Sequence, residues 1–280
     1  MKAVADAVSV GLPRELAPGV VWLGECIVYS KGSSALHSCS ASYLVSGDEA
    51  SLLVDTGFPG HFEILARQLD EVLAGGAAPL RYLFCTHWEP PHVCGAGLLF
   101  ERYPELISCG DPTDLDLMFP QISAEQQIDL PVGGRLDLGG REFVVLQGAF
   151  VDGSSTLWGY DTGTKTLFSA DGLSYGHYHE VGQCSQTAEE AGPTLDIPGM
   201  TAMFSDAAFY WTRFTDVEPY VAGLEALIED LDVQLICPAH GLPVTDLPAS
   251  MPLVYEGMRM GARGELPIRM QHVAVGEAAP

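Results

Sequence analysis

His87, Glu89 and His92 bring two imidazoles and a carboxylate into one short stretch, Thr86-His87-Trp88-Glu89-Pro90-Pro91-His92. Neutral imidazole and carboxylate together suit zinc, iron or manganese. The apolar run Tyr82-Leu83-Phe84-Cys85 ahead of them reads as a buried strand. The donors therefore stand on a loop leaving a strand, where a rigid sheet can aim them at one point. Pro90-Pro91 fixes two φ angles and removes two N–H donors, which predicts that the stretch is not helical. A solvated loop that merely holds two histidines is the plain alternative. Recurrence elsewhere weighs against it. Asp55 closes the strand Ser51–Val54, Asp171 closes a strand from Thr166, and His240 follows the strand Val233–Cys237. Taken singly, each acid suits a turn or a helix cap and the histidine suits an ordinary loop. Their joint convergence on one sheet edge would make a metal centre.

The elements that must position these residues fall in a clear order. Residues 1–18 read as a loose lead-in, and Gly19–Gly24 starts the first strand. Ser42–Ser46 and Ser51–Asp55 read as a hairpin with Gly47-Asp48 at its turn. A helix from Phe62 to Leu73 follows from the spacing of Phe62, Leu65, Ala66, Leu69, Val72 and Leu73, and Gly75-Gly76 stops it. A helix to about Tyr103 and a strand at Leu106–Ser108 come after the His-rich loop. Strands are expected again at Arg135–Leu138, Glu142–Leu146, Thr156–Tyr160 and Thr166–Ala170. Residues 172–199 read as a long loop with one helical turn. Helices are expected near 201–213, 217–231 and 250–262. The reading is one domain over 1–262 and a tail over 263–280.

The totals narrow the partners. The chain has 280 residues, 47% of them apolar, so a full core is within reach. Its formal net charge of -24, with only 13 Lys and Arg, repels phosphate backbones and anionic bilayers, so neither nucleic acid nor a membrane is expected as partner. No apolar run approaches the roughly 18 residues a spanning helix needs. The N-terminus lacks the apolar centre of a secretory signal. The 7 cysteines are scattered without a C-x-x-C pair and read as reduced, mostly buried thiols of a cytoplasmic protein.

The order Asp55-Thr56-Gly57, then Thr86-His87-x-Glu89-x-x-His92, then Phe168-Ser169-x-Asp171, then Pro238-x-His240-Gly241 resembles the metallo-β-lactamase superfamily. Glu89, standing where the usual second histidine would be, resembles the di-iron core of flavodiiron proteins and of oxygen-binding di-iron proteins. The resemblance runs from about Leu16 to Val244. It implies an α+β fold, the four-layer αββα sandwich, with metals at one edge of two sheets. By that resemblance His87 and Glu89 bind a first metal, His92 and His240 a second, and Asp171 bridges them, while Asp55 orients a ligand by hydrogen bond. Two positions depart from the pattern. Pro91 stands where an aspartate ligand would be, so one metal instead of two is an open outcome. The family's third histidine is absent, and Asp152 falls at about its place, either as substitute ligand or as the first residue of an Asp-Gly-Ser-Ser turn.

Two iron ions follow most directly from this donor set, with manganese or zinc as alternatives. The activity implied is binding and activation of O2, for its reduction or for oxidation of a small substrate. A flavodiiron protein would carry a flavodoxin domain after the core, and no flavin cradle occurs in the tail. Electrons would then come from a separate donor protein or from the substrate. Related cores often pair, which points to a homodimer. Tyr175, His177 and His179 could line the pocket as proton donors, with exposed loop residues as the plain alternative, and His37 stands on the same side with the same two readings. From other classes, a metal-dependent hydrolase of an ester, thioester or lactam is the rival enzyme, and a non-catalytic gas or ligand sensor is the rival non-enzyme.

Overall fold

Two twisted sheets lie face to face, and the residues that join them are aromatic. Tyr43 meets Phe168 with ring centroids 5.6 Å apart, and Phe84 meets Phe143 edge-on at 5.0 Å. The computed structural model describes residues 11–31, 34–113, 115–173, 184–192 and 195–266, without the side chains of 28–37. In chain order the first sheet is built from β1 (Arg14–Ala17), β2 (Val20–Lys31), β3 (Ser34–Ser46), β4 (Ser51–Val54), helix α1 (Phe62–Ala74), β5 (Leu80–Phe84), the single turn α2 (Pro90–Val93), α3 (Ala96–Arg102), β6 (Ile107–Gly110), α4 (Leu115–Met118) and β7 (Gln127–Asp129). The second is built from β8 (Arg135–Asp137), β9 (Glu142–Gln147), β10 (Leu157–Asp161), β11 (Thr166–Phe168), α5 (Ala188–Ala191), α6 (Ile197–Ala208), α7 (Glu218–Asp230), β12 (Leu235–Cys237) and α8 (Leu247–Arg263). Strand order is β1-β2-β3-β4-β5-β6-β7 in one sheet and β12-β11-β10-β9-β8 in the other.

Helices cover both outer faces. Leu65 and Leu69 of α1 and Leu99 and Phe100 of α3 pack on Leu23, Leu44, Leu53 and Leu83 of the first sheet. The opposite faces of the same strands, through Trp22, Tyr43, Val45 and Phe84, join the core between the sheets, which continues to Val221 and Leu224 of α7 and Val254 and Met258 of α8. The layers are helix, sheet, sheet, helix: the αββα sandwich. Where α6 crosses α8 the contact is close, because a Cβ on Gly257 would come within 2.5 Å of Thr201 Cβ. Among the described residues no helix is long and apolar enough to cross a membrane.

The packing between the sheets is tight enough to test. A Cβ at Gly159 of β10 would lie 2.1 Å from Phe143 Cζ on the neighbouring strand. Phe143 is fully buried and holds both Phe84 and Phe168. Gly159→Ala is therefore expected to destabilise the chain by about 2 kcal/mol through overpacking, read as a lower urea midpoint at unchanged m-value; an unchanged midpoint would refute the contact.

Several elements differ from the sequence reading. Residues 14–17 are a strand paired with β2 within the expected lead-in, and β2, expected to start at Gly19–Gly24, runs from Val20 to Lys31. β3 likewise starts at Ser34 where a strand from Ser42 was expected, and small polar residues hid its first half: Ser38, Ser40 and Ser42 alternate with Cys39, Ala41 and Tyr43, a period of two in which serines occupy buried positions. The first helix after residue 195 starts at Ile197 and ends at Ala208, with a 3-10 stretch at Tyr210–Phe214. The last helix spans Leu247–Arg263 instead of 250–262. The single helical turn expected between 172 and 199 is α5.

Candidate metal centre

Asp55, His87, Asp171 and His240 all follow the carboxyl ends of strands in parallel pairs, β4 with β5 and β11 with β12. The two loops of the second sheet run side by side. Ala239 N–H donates to Ala170 O at 2.8 Å, and Ala41 N–H of β3 donates to Ala239 O at 2.9 Å. Leu157 N–H donates to Thr86 O at 2.8 Å and ties the loop before β10 to the His-rich loop. Backbone bonds across the sheets thus bring every donor segment to one edge.

The His-rich loop departs from the expectation in one respect. Pro90–Val93 is a helical turn, with Glu89 as its N-cap in extended conformation. Proline is tolerated there because the first helical positions need no N–H partner and their φ suits proline. The prolines initiate the turn that swings His92 inward; Thr56 N–H donates to His92 O at 3.0 Å and fixes its depth. Trp88 faces the other way, against the helix-side core of the first sheet.

Each of the three histidines is held by its Nδ1. Asp55 Oδ2 lies 2.9 Å from His92 Nδ1. Asp55 also accepts from Thr86 N–H at 2.8 Å and Thr86 Oγ1–H at 3.0 Å. With its hydrogen committed to Asp55, Thr86 Oγ1 accepts from His87 Nδ1 at 3.2 Å. His240 Nδ1 donates to Cys39 O at 2.7 Å. The Nε2 atoms then face inward: His87 Nε2 is 3.3 Å from Asp152 Oδ2, while His92 Nε2 and His240 Nε2 are 3.4 Å and 3.5 Å from Asp171 Oδ1. The His87 and His92 rings lie 3.8 Å apart between centroids.

Four of these inward atoms, His87 Nε2, His92 Nε2, Asp152 Oδ2 and Asp171 Oδ1, are buried without a hydrogen-bond partner. Leaving such groups unsatisfied is costly, and four of them pointing at one spot fit a bound cation. Donor atoms of His87, Glu89, Asp152 and Asp171 lie within 4.8 Å of one another, as do those of His87, His92 and Asp171. Glu89 is exposed while His87, His92 and Asp171 are buried, so the cluster opens to solvent on the Glu89 side.

Electrostatics draw positive charge to the same place. Burial alone would lower His87, but the carboxylates of Asp152, 3.3 Å away, and Asp171 favour the protonated ring, outweigh burial and raise its pKa to about 9. Burial opposes ionisation of Asp152, yet the facing His87 imidazole and the hydrogen bond from Thr156 hold it well below the usual carboxylate range. Burial pushes Asp171 up to about 7, with His92 and His87 pulling the other way. Burial and the nearby His92 lower His240 to about 3, which keeps its imidazole neutral and able to act as a ligand.

The structure therefore brings together His87, Glu89, His92, Asp152, Asp171 and His240, with Asp55 behind His92. Asp152 does not simply open a polar turn. Its Oδ1 accepts from Thr156 Oγ1 at 2.7 Å, which aims Oδ2 at His87. Thr156 is a positioning residue that the sequence reading missed; the spacing Asp-x-x-x-Thr was the available signal. Thr156→Val is expected to weaken metal binding about 10-fold or more at nearly unchanged shape, measured by competition with a chromophoric chelator. His37 lies in β3 opposite Val28, and its side chain is outside the described residues. Tyr175, His177 and His179 also fall outside the described residues.

With this fold and edge cluster in view, comparison with known proteins places the chain: it belongs to the metallo-beta-lactamase superfamily, whose family profile matches residues 39–183. It is 26% identical over 265 residues to the coenzyme F420H(2) oxidase of Methanothermobacter marburgensis, a match covering 89% of this chain and 61% of that protein. Among solved structures it is similar to rubredoxin oxygen:oxidoreductase from Desulfovibrio gigas, with TM-score 0.69 and 16% identity over 89% of this chain and 61% of that one. It is also similar to a fragment of a putative diflavin flavoprotein from Nostoc, with TM-score 0.66 and 18% identity over 89% of this chain and 95% of that fragment. The chain thus spans about three fifths of the length of the oxidase it matches.

Proposed function

We propose that the chain is the di-iron core of an oxidoreductase that binds and activates O2, with electrons delivered by a separate donor. The observation that carries this reading is the set of four buried, partnerless donor atoms, two nitrogens and two carboxylate oxygens, converging from both sheets. A set rich in carboxylate and free of thiolate favours iron or manganese. The F420H(2) oxidase match supports the same reading.

In this proposal His87, Glu89 and Asp152 hold one ion, His92 and His240 the other, and Asp171 lies between them. When bound, the iron pair supplies electron transfer to O2. The chain's own residues do the rest. Asp55, Thr86 and the Cys39 carbonyl fix the imidazoles with Nε2 inward. Thr156 holds Asp152. Pro91, where a carboxylate would complete the family pattern, offers no donor, so the His92 and His240 side carries the more open coordination. A small molecule would enter past exposed Glu89.

The test is anaerobic loading with ferrous iron, metal analysis, then exposure to O2 with a chemical reductant in an oxygen electrode cell. About two irons per chain and catalytic O2 consumption are expected. Retained zinc, ester or thioester cleavage and no O2 uptake would overturn the reading in favour of a hydrolase.

A further inference from the structure

A second group of reactive atoms lies between the sheets, next to the metal cluster and separate from its donors. Cys26 of β2 and Cys39 of β3 are direct cross-strand partners, with Sγ atoms 3.8 Å apart. Both are buried, at 3% and 1% exposure, and Cys184, at 7%, is a second hydrogen-bond partner of Cys26. Cys26 thus touches both other sulfurs, and none of the three is in a disulfide.

The backbone gives the pair its type. Antiparallel partners alternate between hydrogen-bonded pairs and closer, non-hydrogen-bonded pairs with Cα atoms about 4.5 Å apart. Two residues along from the cysteines, Gly24 sends both its N–H and its carbonyl to Gln68 and neither to its partner Ala41. Ala41 N–H points away as well, to Ala239 O. Gly24 and Ala41 are therefore a non-hydrogen-bonded pair, and by alternation so are Cys26 and Cys39. The Cys39 carbonyl agrees, since it accepts from His240 and not from β2. This close pairing falls within the Cα range a disulfide spans, about 4.4–6.8 Å.

We propose that Cys26 and Cys39 form a reversible cross-strand disulfide, with Cys184 as the thiol through which oxidation enters. The oxidant is a peroxide. One peroxide oxygen transfers to Cys184 Sγ, giving a sulfenic acid and one water. Cys26 Sγ displaces the sulfenic hydroxyl, which leaves as a second water with the Cys26 proton, and a Cys26–Cys184 disulfide forms. Cys39 Sγ then attacks Cys26 Sγ, the Cys184 thiol is released with the Cys39 proton, and the bond ends between β2 and β3. The net change is two thiols and one peroxide to one disulfide and two waters. Contact of Cys26 with both other sulfurs is what such exchange requires. The Cys184 bond favours ionisation of Cys26, but Cys39 and burial outweigh it, so the thiol rests protonated and reacts slowly. The consequence reaches the metal cluster through backbone alone, because Cys39 O is the atom that holds His240. The inference holds whichever ion the cluster binds.

The test treats the purified, reduced protein with hydrogen peroxide, blocks remaining thiols with N-ethylmaleimide and maps peptides. A cross-linked Cys26–Cys39 peptide, a mass loss of about 2 Da and full reversal by dithiothreitol are expected. Recovery of Cys26 and Cys39 as blocked thiols, or as sulfinic acids without a cross-link, overturns the proposal, and this readout on the unaltered chain needs no variant to fold. In Cys184→Ala the same bond is expected to form at least about tenfold more slowly; formation at the original rate overturns the role of Cys184.

Discussion

Asp171→Asn is expected to strip the cluster of metal while leaving the chain folded. Asp171 is the one carboxylate common to both groups of converging donors, and it lies within 3.5 Å of the Nε2 atoms of two histidines. An amide has the same shape but brings no negative charge to share between two cations. Iron content is expected to fall from about two to below one per chain, and O2 consumption by about 100-fold or more, taking loss of an orienting partner as the lower bound. Stability should move the other way in the metal-free chain. Burial raises the folded value of this carboxyl from 3.8 to about 7. An acid raised on folding costs stability as pH climbs through that interval, because the unfolded chain ionises first. The metal-free variant lacks this cost and should melt no lower than the metal-free parent at pH 8. A variant that keeps two irons and the parental rate would remove Asp171 from the centre.

Asp55→Ala should cost the fold itself about 3–5 kcal/mol, the range for stranding the partners of a buried charge. The carboxylate is 2% exposed and accepts from Thr86 N–H, Thr86 Oγ1–H and His92 Nδ1. Its backbone has φ 59°, a left-handed conformation that aspartate tolerates better than alanine. Asp55→Asn separates the two roles. Its amide oxygen still accepts from Thr86, but its NH2 faces His92 Nδ1 and turns that nitrogen into an acceptor. The ring proton then moves to Nε2 and takes the lone pair the metal needs. The expected result is a folded protein whose ion on the His92 side is lost, read by urea melts together with metal content. Undiminished metal in Asp55→Asn would show that the carboxylate does not set the tautomer.

Much of this site was legible because its chemistry lies in rare residue types at strand ends. Asp55, the His87–His92 loop, Asp171 and His240 could each be placed after a strand from apolar runs alone. Asp152 was found by counting from Asp171 and remained balanced between turn and ligand. The carboxylate oxygen that faces His87 is decided by Thr156, whose hydroxyl four residues on holds Oδ1, a local bond that apolar patterning does not register. The Pro90-Pro91 pair misled for a different reason. Proline forbids the middle of a helix and favours its first turn, and the sequence reading applied only the first half of that rule. β1 was lost because Arg14-Glu15-Leu16-Ala17 holds a single large apolar side chain, and the first half of β3 because its serines carry no apolar signal.

The donors come from both halves of the chain: His87, Glu89 and His92 belong to the first sheet, Asp152, Asp171 and His240 to the second. An ion seated among them would therefore rivet one sheet to the other at the rim, where the aromatic filling between them ends. Such a rivet makes thermal tolerance a function of free-ion concentration: an ion at 100 times its dissociation constant adds about 2.7 kcal/mol to the native state. A chelator should accordingly loosen the rim first, and amides in the loops after β5 and β11 should exchange with solvent before those of the Phe84–Phe143 layer.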